Sequence, residues 1–215
     1  MKPLRLGVLG SGRGSNFVAL ADAIAEGRVP AEIVLVASDL ADAKILGHAR
    51  ERKLPVYACR RGAFRTKLEP EIETELAAAL AAAAVELVVL VGYMRVLKAP
   101  LLGPFSGRIL NLHPSLLPSF PGLKAWEQAF KARVTQTGCT VHWVNERVDG
   151  GAVIRQAQVN VQPGDTPESL HGRIQEAEHR LLPEVIRDLA TGKVPWPEDP
   201  RKSGGRWKDQ AEGKL

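Results

Sequence analysis

Five consecutive apolar residues, Leu87-Val88-Val89-Leu90-Val91, place the strongest constraint on what this chain can fold into. A strand with one wet face alternates apolar and polar residues, whereas an unbroken run of this length must be covered on both faces, as in the centre of a parallel sheet. Parallel strands need long crossovers, usually helical. The chain supplies them. Leu4–Leu9 reads as a buried strand, followed by the glycine-rich stretch 10–16 and an Ala-rich helical pattern over 17–26. Residues 33–37 and Val56–Ala58 read as further strands, and 43–52 and 71–84 as helices. The expected class is α/β, a doubly wound and mainly parallel sheet.

Downstream the pattern changes. Residues 139–144 and 152–161 read as an antiparallel pair joined by the turn that holds Asp149-Gly150-Gly151. A long helix then starts near 165–168. An Asp165 cap would place Glu168 three residues on, a Thr166 cap would place Pro167 at the first helical position, and both readings stand. Pro183 is expected to kink this helix or split it. Residues 1–194 are expected to form one domain and 195–215 a tail without its own core, with Trp196 and Trp207 as docking points.

At 215 residues, 45% hydrophobic and 25% charged, the chain is long enough for one sizeable core. Cys59 and Cys139 form no disulfide framework and lack metal-ligand spacing, which favours a reducing compartment and buried thiols. The apolar N-terminal run is too short for a signal peptide or a membrane span, so a cytoplasmic protein is expected. A net charge of +5 is concentrated between Arg50 and Lys67, where seven basic residues face Glu51 alone. No nucleic-acid motif or aromatic interleaving accompanies this stretch, so it reads as a solvated face that also suits small polyanionic substrates.

The chemistry is concentrated in two motifs. Asn111-Leu112-His113-Pro114-Ser115-Leu116-Leu117-Pro118 ends a strand over 108–113, and Asp149-Gly150-Gly151 follows thirty-six positions after His113. Strand alternation points Asn111 and His113 the same way, and Pro114 and Pro118 force a loop over 115–122. By themselves an Asn and a His at period two are an exposed polar face. Joined to a carboxylate they are what acyl transfer needs without a metal or a covalent nucleophile, one group to hold the oxyanion and two to move protons. Gly10, Gly12 and Gly14 alternate ahead of a helix, which brings backbone N–H groups onto an anion. The rival is a dinucleotide site, supported by Asp39 where a ribose-binding acid would fall, but Ser15 occupies the third glycine position of that fingerprint.

The stretch Asn111 to Gly122 and the Asp149-Gly150-Gly151 turn resemble the folate-dependent formyltransferases, and the likeness extends over nearly the whole chain to about Val194. It implies a Rossmann-like formyltransferase fold with an antiparallel C-terminal strand pair and a long C-terminal helix. The implied activity is transfer of the formyl group of 10-formyltetrahydrofolate to the amine of glycinamide ribonucleotide in purine biosynthesis. A formyltetrahydrofolate hydrolase, or transfer to another amine, is the alternative. In that family Asn111, His113 and Asp149 would be catalytic. Gly14, Ser15, Asn16, Gln175, Glu176, Ala177 and Glu178 would bind glycinamide ribonucleotide. Lys67, Met94, Arg95, Val96, Leu97, Asn145, Glu146, Arg147 and Val148, together with Asn111 and Asp149, would bind the folate. Asn111 and a protonated His113 would hold the oxyanion, and Asp149 would raise the proton affinity of His113. No metal, nucleic acid or membrane is implied, and a monomer or homodimer is expected. Relatives acting on tRNA would need a further C-terminal domain and the hydrolase an N-terminal one, neither of which fits this length. Arg13, Lys124 and Trp126 depart from the family pattern; Arg13 could reach the phosphate or face solvent.

Overall fold

A computed structural model describes residues 2–197. One seven-stranded sheet runs in the order β3-β2-β1-β4-β5-β6-β7. Its strands are β1 Leu4–Leu9, β2 Ala31–Ser38, β3 Val56–Ala58, β4 Leu87–Val91, β5 Ile109–His113, β6 Gln136–Trp143 and β7 Val153–Asn160. The first five pair in parallel, and β6 and β7 add to the β5 edge antiparallel. The expected antiparallel pair therefore extends the main sheet.

Period-two alternation divides the core. Leu87, Val89 and Val91 face the same side as Leu6, Val8, Leu110 and Leu112, where α1 (Ser15–Ala25), α2 (Lys44–Glu51) and α6 (Pro167–Ala190) pack. Val88, Leu90 and Ile109 face α3 (Pro70–Ala82) and α4 (Ala99–Leu102). Both faces of β4 are thus covered, which is why it carries no polar residue. Among the described residues no helix is long and apolar enough to cross a membrane.

Four expectations are resolved. Thr166 is the cap of α6, accepting from Ser169 N–H while the Ser169 hydroxyl accepts from Thr166 N–H, with Pro167 opening the helix. Asp165 instead pairs with Arg173. Pro183 does not split α6, which continues to Ala190. Leu181, Leu182, Val185 and Ile186 are buried on both sides of it, and their packing outweighs a proline cost of about 3 kcal/mol. Trp196 packs near Trp143, ring centroids 5.8 Å apart, while Trp207 and the rest of the tail beyond 197 lie outside the described residues. Cys59 and Cys139 are both free and buried, and burial pushes their thiols up to about 11 and about 12.

Candidate active site

Strand order reverses between β1 and β4, so the loops leaving their C-terminal ends splay apart and open a crevice. The glycine loop forms one wall. Gly14 caps α1 at φ +80°, and a Cβ there would lie 2.9 Å from the Ile45 backbone of α2. Its role is therefore conformational and steric as much as ligand-directed. Around Gly12, by contrast, a Cβ would meet nothing within 4 Å. The start of α1 has no side-chain cap and no acidic residue in its first turn, leaving its N–H groups to attract an anion. Arg13 is exposed.

Asn16 turns inward from this helix start, donating from Nδ2 to Glu178 Oε2 of α6 at 2.8 Å, while its Oδ1 is buried without a partner. Burial pushes the Glu178 carboxyl up to about 7, with the Asn16 hydrogen bond pulling the other way. Of the remaining α6 candidates, Gln175 is half-buried, Glu176 exposed, and Ala177 part of the core. The raised Glu178 has a measurable consequence. Between about pH 4.5 and pH 7 the unfolded chain ionises this group while the folded one keeps it protonated, so stability declines as pH rises through that window. Glu178→Gln is expected to remove that slope and to gain roughly 3 kcal/mol over wild type above pH 7 but little at pH 4. Urea denaturation at the two pH values checks this, and an equal gain at both would refute it.

The C-terminal end of β5 forms the floor. Asn111 and His113 do face one site, and one carboxylate gathers them. Asp149 Oδ1 accepts from Asn111 Nδ2 at 3.4 Å, and Oδ2 accepts from Gly122 N–H at 2.8 Å and lies 3.4 Å from His113 Nδ1. A second ring joins them that the sequence reading did not single out: His142 Nε2 is 3.1 Å from Asn111 Nδ2 and 3.6 Å from Asp149 Oδ1, and its Nδ1 donates to the Trp143 carbonyl at 2.9 Å. His142 sits opposite Asn111 across the β5–β6 pairing, beside a register shift with β7 that re-aims local side chains. Asp149 itself stands at φ +51°, and Gly151 passes so close to the Trp143 carbonyl that a Cβ would lie 1.8 Å from it. The turn is therefore fixed by backbone geometry.

The loop after β5 closes over His113. The ring's Nε2 donates to the Phe120 carbonyl at 2.9 Å, and the residue is 4% exposed. Ser115 donates to the Ser119 carbonyl, Thr140 of β6 to the Ser115 carbonyl, and Gln156 of β7 to the Leu117 carbonyl, so the loop is held from two strands. These partners also escaped the sequence reading. Burial lowers the His113 pKa; the Asp149 charge and the Phe120 carbonyl act against this without reversing it, and His142 adds to it. The expectation that Asp149 favours the charged ring holds in sign, but desolvation wins. Asp149 is held below the usual carboxylate range: burial pushes it up, but the His142 ring, the His113 charge and the Gly122 N–H outweigh that.

Residues 92–97 form the opposite wall. Met94 is exposed and free to cover a ligand, whereas Leu97 is in the core. The Arg95 side chain is committed elsewhere, Nε to Asp39 Oδ2 and Nη1 to the Phe64 carbonyl, both at 2.5 Å. Asp39 also accepts from the Ser11 hydroxyl, so both of its oxygens are engaged within the protein, against the ribose-binding role of the dinucleotide alternative. Thr66 accepts from Val96 N–H at 2.8 Å, which brings Lys67 beside this segment with its Nζ 4.5 Å from the Phe64 ring centre. In the 145–148 turn, Asn145 Oδ1 accepts from Arg147 N–H, and Glu146, Arg147 and Val148 are exposed. The unforeseen helix α5 (Ala125–Lys131) follows Lys124, and Trp126 stacks on His171 with ring centroids 3.8 Å apart. Among the described residues no group of three His, Cys, Asp or Glu side chains is placed to hold a metal.

A family model described as formyl transferase matches residues 4–186. The chain is 39% identical over 190 residues to the phosphoribosylglycinamide formyltransferase of Haemophilus influenzae, covering 88% of this chain and 89% of that protein. It is 44% identical over 192 residues to the trifunctional purine biosynthetic protein adenosine-3 of Drosophila pseudoobscura pseudoobscura, but spans only 14% of that protein's length. The crystal structure of glycinamide ribonucleotide transformylase 1 from Symbiobacterium toebii superimposes with a TM-score of 0.86 at 44% identity, covering 92% of each chain.

Proposed function

The chain belongs to the formyl transferase family, and from that premise we propose that it transfers the formyl group of 10-formyltetrahydrofolate to the amine of glycinamide ribonucleotide in purine biosynthesis. One observation carries this reading. A single carboxylate, Asp149, gathers Asn111, His113 and His142 within 3.6 Å, on the floor between an anion-attracting helix start and the 92–97 wall. The names of the Haemophilus and Symbiobacterium relatives point to the same acceptor.

In this reading the ribonucleotide phosphate rests on the backbone of Gly14, Ser15 and Asn16, with Glu178 and Gln175 toward the ribose and glycinamide arm. The pterin lies between 92–97 and 145–148, where the exposed Met94 and Val148 give apolar cover and Arg95 offers its backbone alone. The neutral amine attacks the formyl carbon. As the C–N bond forms, the carbonyl electron pair moves to oxygen, facing Asn111 and His113. A carbonyl oxygen, that of Phe120, already accepts from His113 Nε2, and the formyl oxygen takes its place. Burial keeps the ring neutral beforehand, and the growing oxyanion, with Asp149 on the other side, makes its protonation favourable. The proton lost by the attacking nitrogen passes by Asp149 to His113, and the ring returns it through water to the folate nitrogen as that nitrogen's bond to the formyl carbon breaks and the oxyanion reforms the carbonyl. The reading places the enzyme in the cytoplasm.

Radiolabelled formyl transfer tests the assignment. Label in formylglycinamide ribonucleotide is expected; label released to water or carried onto charged tRNA would overturn it. The loop has its own test. Gly12→Val, in open space, is expected to weaken glycinamide ribonucleotide binding about tenfold or more while leaving folate binding and the melting temperature nearly unchanged. Gly14→Val must collide with Ile45 and is expected to destabilise the fold itself. Calorimetry showing equal losses for both ligands in Gly12→Val would count against a phosphate site there.

A further inference from the structure

The two substrate walls are joined by a buried polar hub that the reaction itself does not use. Asp39 follows β2, and its side chain is 2% exposed. Its Oδ1 accepts from the Ser11 hydroxyl at 2.5 Å and its Oδ2 from Arg95 Nε at 2.5 Å. The Ser11 hydroxyl in turn accepts from Met94 N–H at 2.9 Å, and Ser11 N–H donates to the Gly92 carbonyl at 3.1 Å. Arg95 carries the connection on to the Phe64 carbonyl. One carboxylate thus ties together the chain after β2, the glycine loop after β1, the folate-side wall after β4 and the loop that carries Lys67.

Apolar packing would fix these loops with no charge to desolvate. A charged, hydrogen-bonded hub is directional instead, so the placement of each segment depends on that of the others. We propose that Asp39 is a positioning residue shared by both substrate subsites, holding the 10–16 loop and the 92–97 wall preformed so that each substrate meets a wall already in place. The proposal rests on the function inferred above. Asp39 lies behind both walls. Without its charge, each substrate must spend binding free energy on reassembling the wall it meets, whereas two seated substrates hold the walls themselves. The defect therefore belongs in binding more than in turnover.

Asp39→Asn keeps the shape and removes the charge. KM is expected to rise about tenfold for both substrates while kcat stays within about threefold and the limbs of the pH profile stay in place. Ser11→Ala, a gentler change, should raise both KM values in the same sense, and the double variant should be no worse than Asp39→Asn alone because the two residues act through one connection. A rise in only one KM, no rise, or a fall in kcat and melting temperature with both KM values unchanged would overturn the proposal. Calorimetry with glycinamide ribonucleotide alone and with an unreactive reduced-folate analogue alone separates the two levels of inference. Wild type binding neither ligand removes the functional reading and this proposal with it, whereas wild type and Asp39→Asn binding both equally well removes only the latter.

Discussion

Replacing His113 or Asn111 by alanine is expected to lower kcat by roughly a hundredfold or more, the loss that follows removal of an oxyanion donor or a positioned acid. The two variants should differ in their side effects. His113 is 4% exposed under the 114–124 loop and donates to the Phe120 carbonyl, so its removal leaves a cavity and leaves that carbonyl with the Ser115 hydroxyl as its donor. Asn111 bridges His142 Nε2 and Asp149 Oδ1, and its removal leaves both without that donor, at a cost of about 1–3 kcal/mol. Melting temperatures measured beside the kinetics separate lost chemistry from lost folding. Turnover within about threefold of wild type, in protein that remains folded, would remove the residue concerned from the mechanism.

Asp149→Asn is expected to be as damaging, and through a shift that can be observed directly. Burial already holds the His113 pKa below its usual value, and the Asp149 charge is the largest influence opposing it. Neutralising that charge leaves desolvation less opposed, so the His113 pKa falls further. Where the rate requires the ring to accept a proton, activity then declines at lower pH than in wild type, and at neutral pH kcat/KM drops by about a hundredfold or more. The asparagine can no longer relay a proton, so raising the buffer acidity should restore only part of the loss. NMR titration of the His113 ring against pH reads the shift itself. An unmoved ring pKa beside a large rate loss would leave Asp149 as proton carrier and loop anchor, and would rule out the electrostatic role.

Much of this molecule is legible in its sequence. The unbroken run in β4 required covering on both faces, and the alternation of strands and helices gave the doubly wound class. Period-two spacing placed Asn111 and His113 on one side of β5, and the resemblance to folate-dependent formyltransferases named Asp149 as their partner. These are properties of short range, set by the pleat, the helical repeat and proline. Trp126 and Phe130 of α5 bury their rings only partly and only against other elements, so no local pattern announced that helix. What lay beyond reach depends on which distant atoms meet. His142 enters the site because β6 pairs antiparallel with β5 in one particular register, and Asp39 becomes a hub only where three strand ends converge. Gly14 is held by contact with Ile45 as well as by its turn. The charge state of His113 is likewise tertiary. The sequence determined that a carboxylate would favour the imidazolium, but the closed loop decided that burial prevails even against that carboxylate and the Phe120 carbonyl, because desolvation depends on everything packed around a group and no single neighbour sets it.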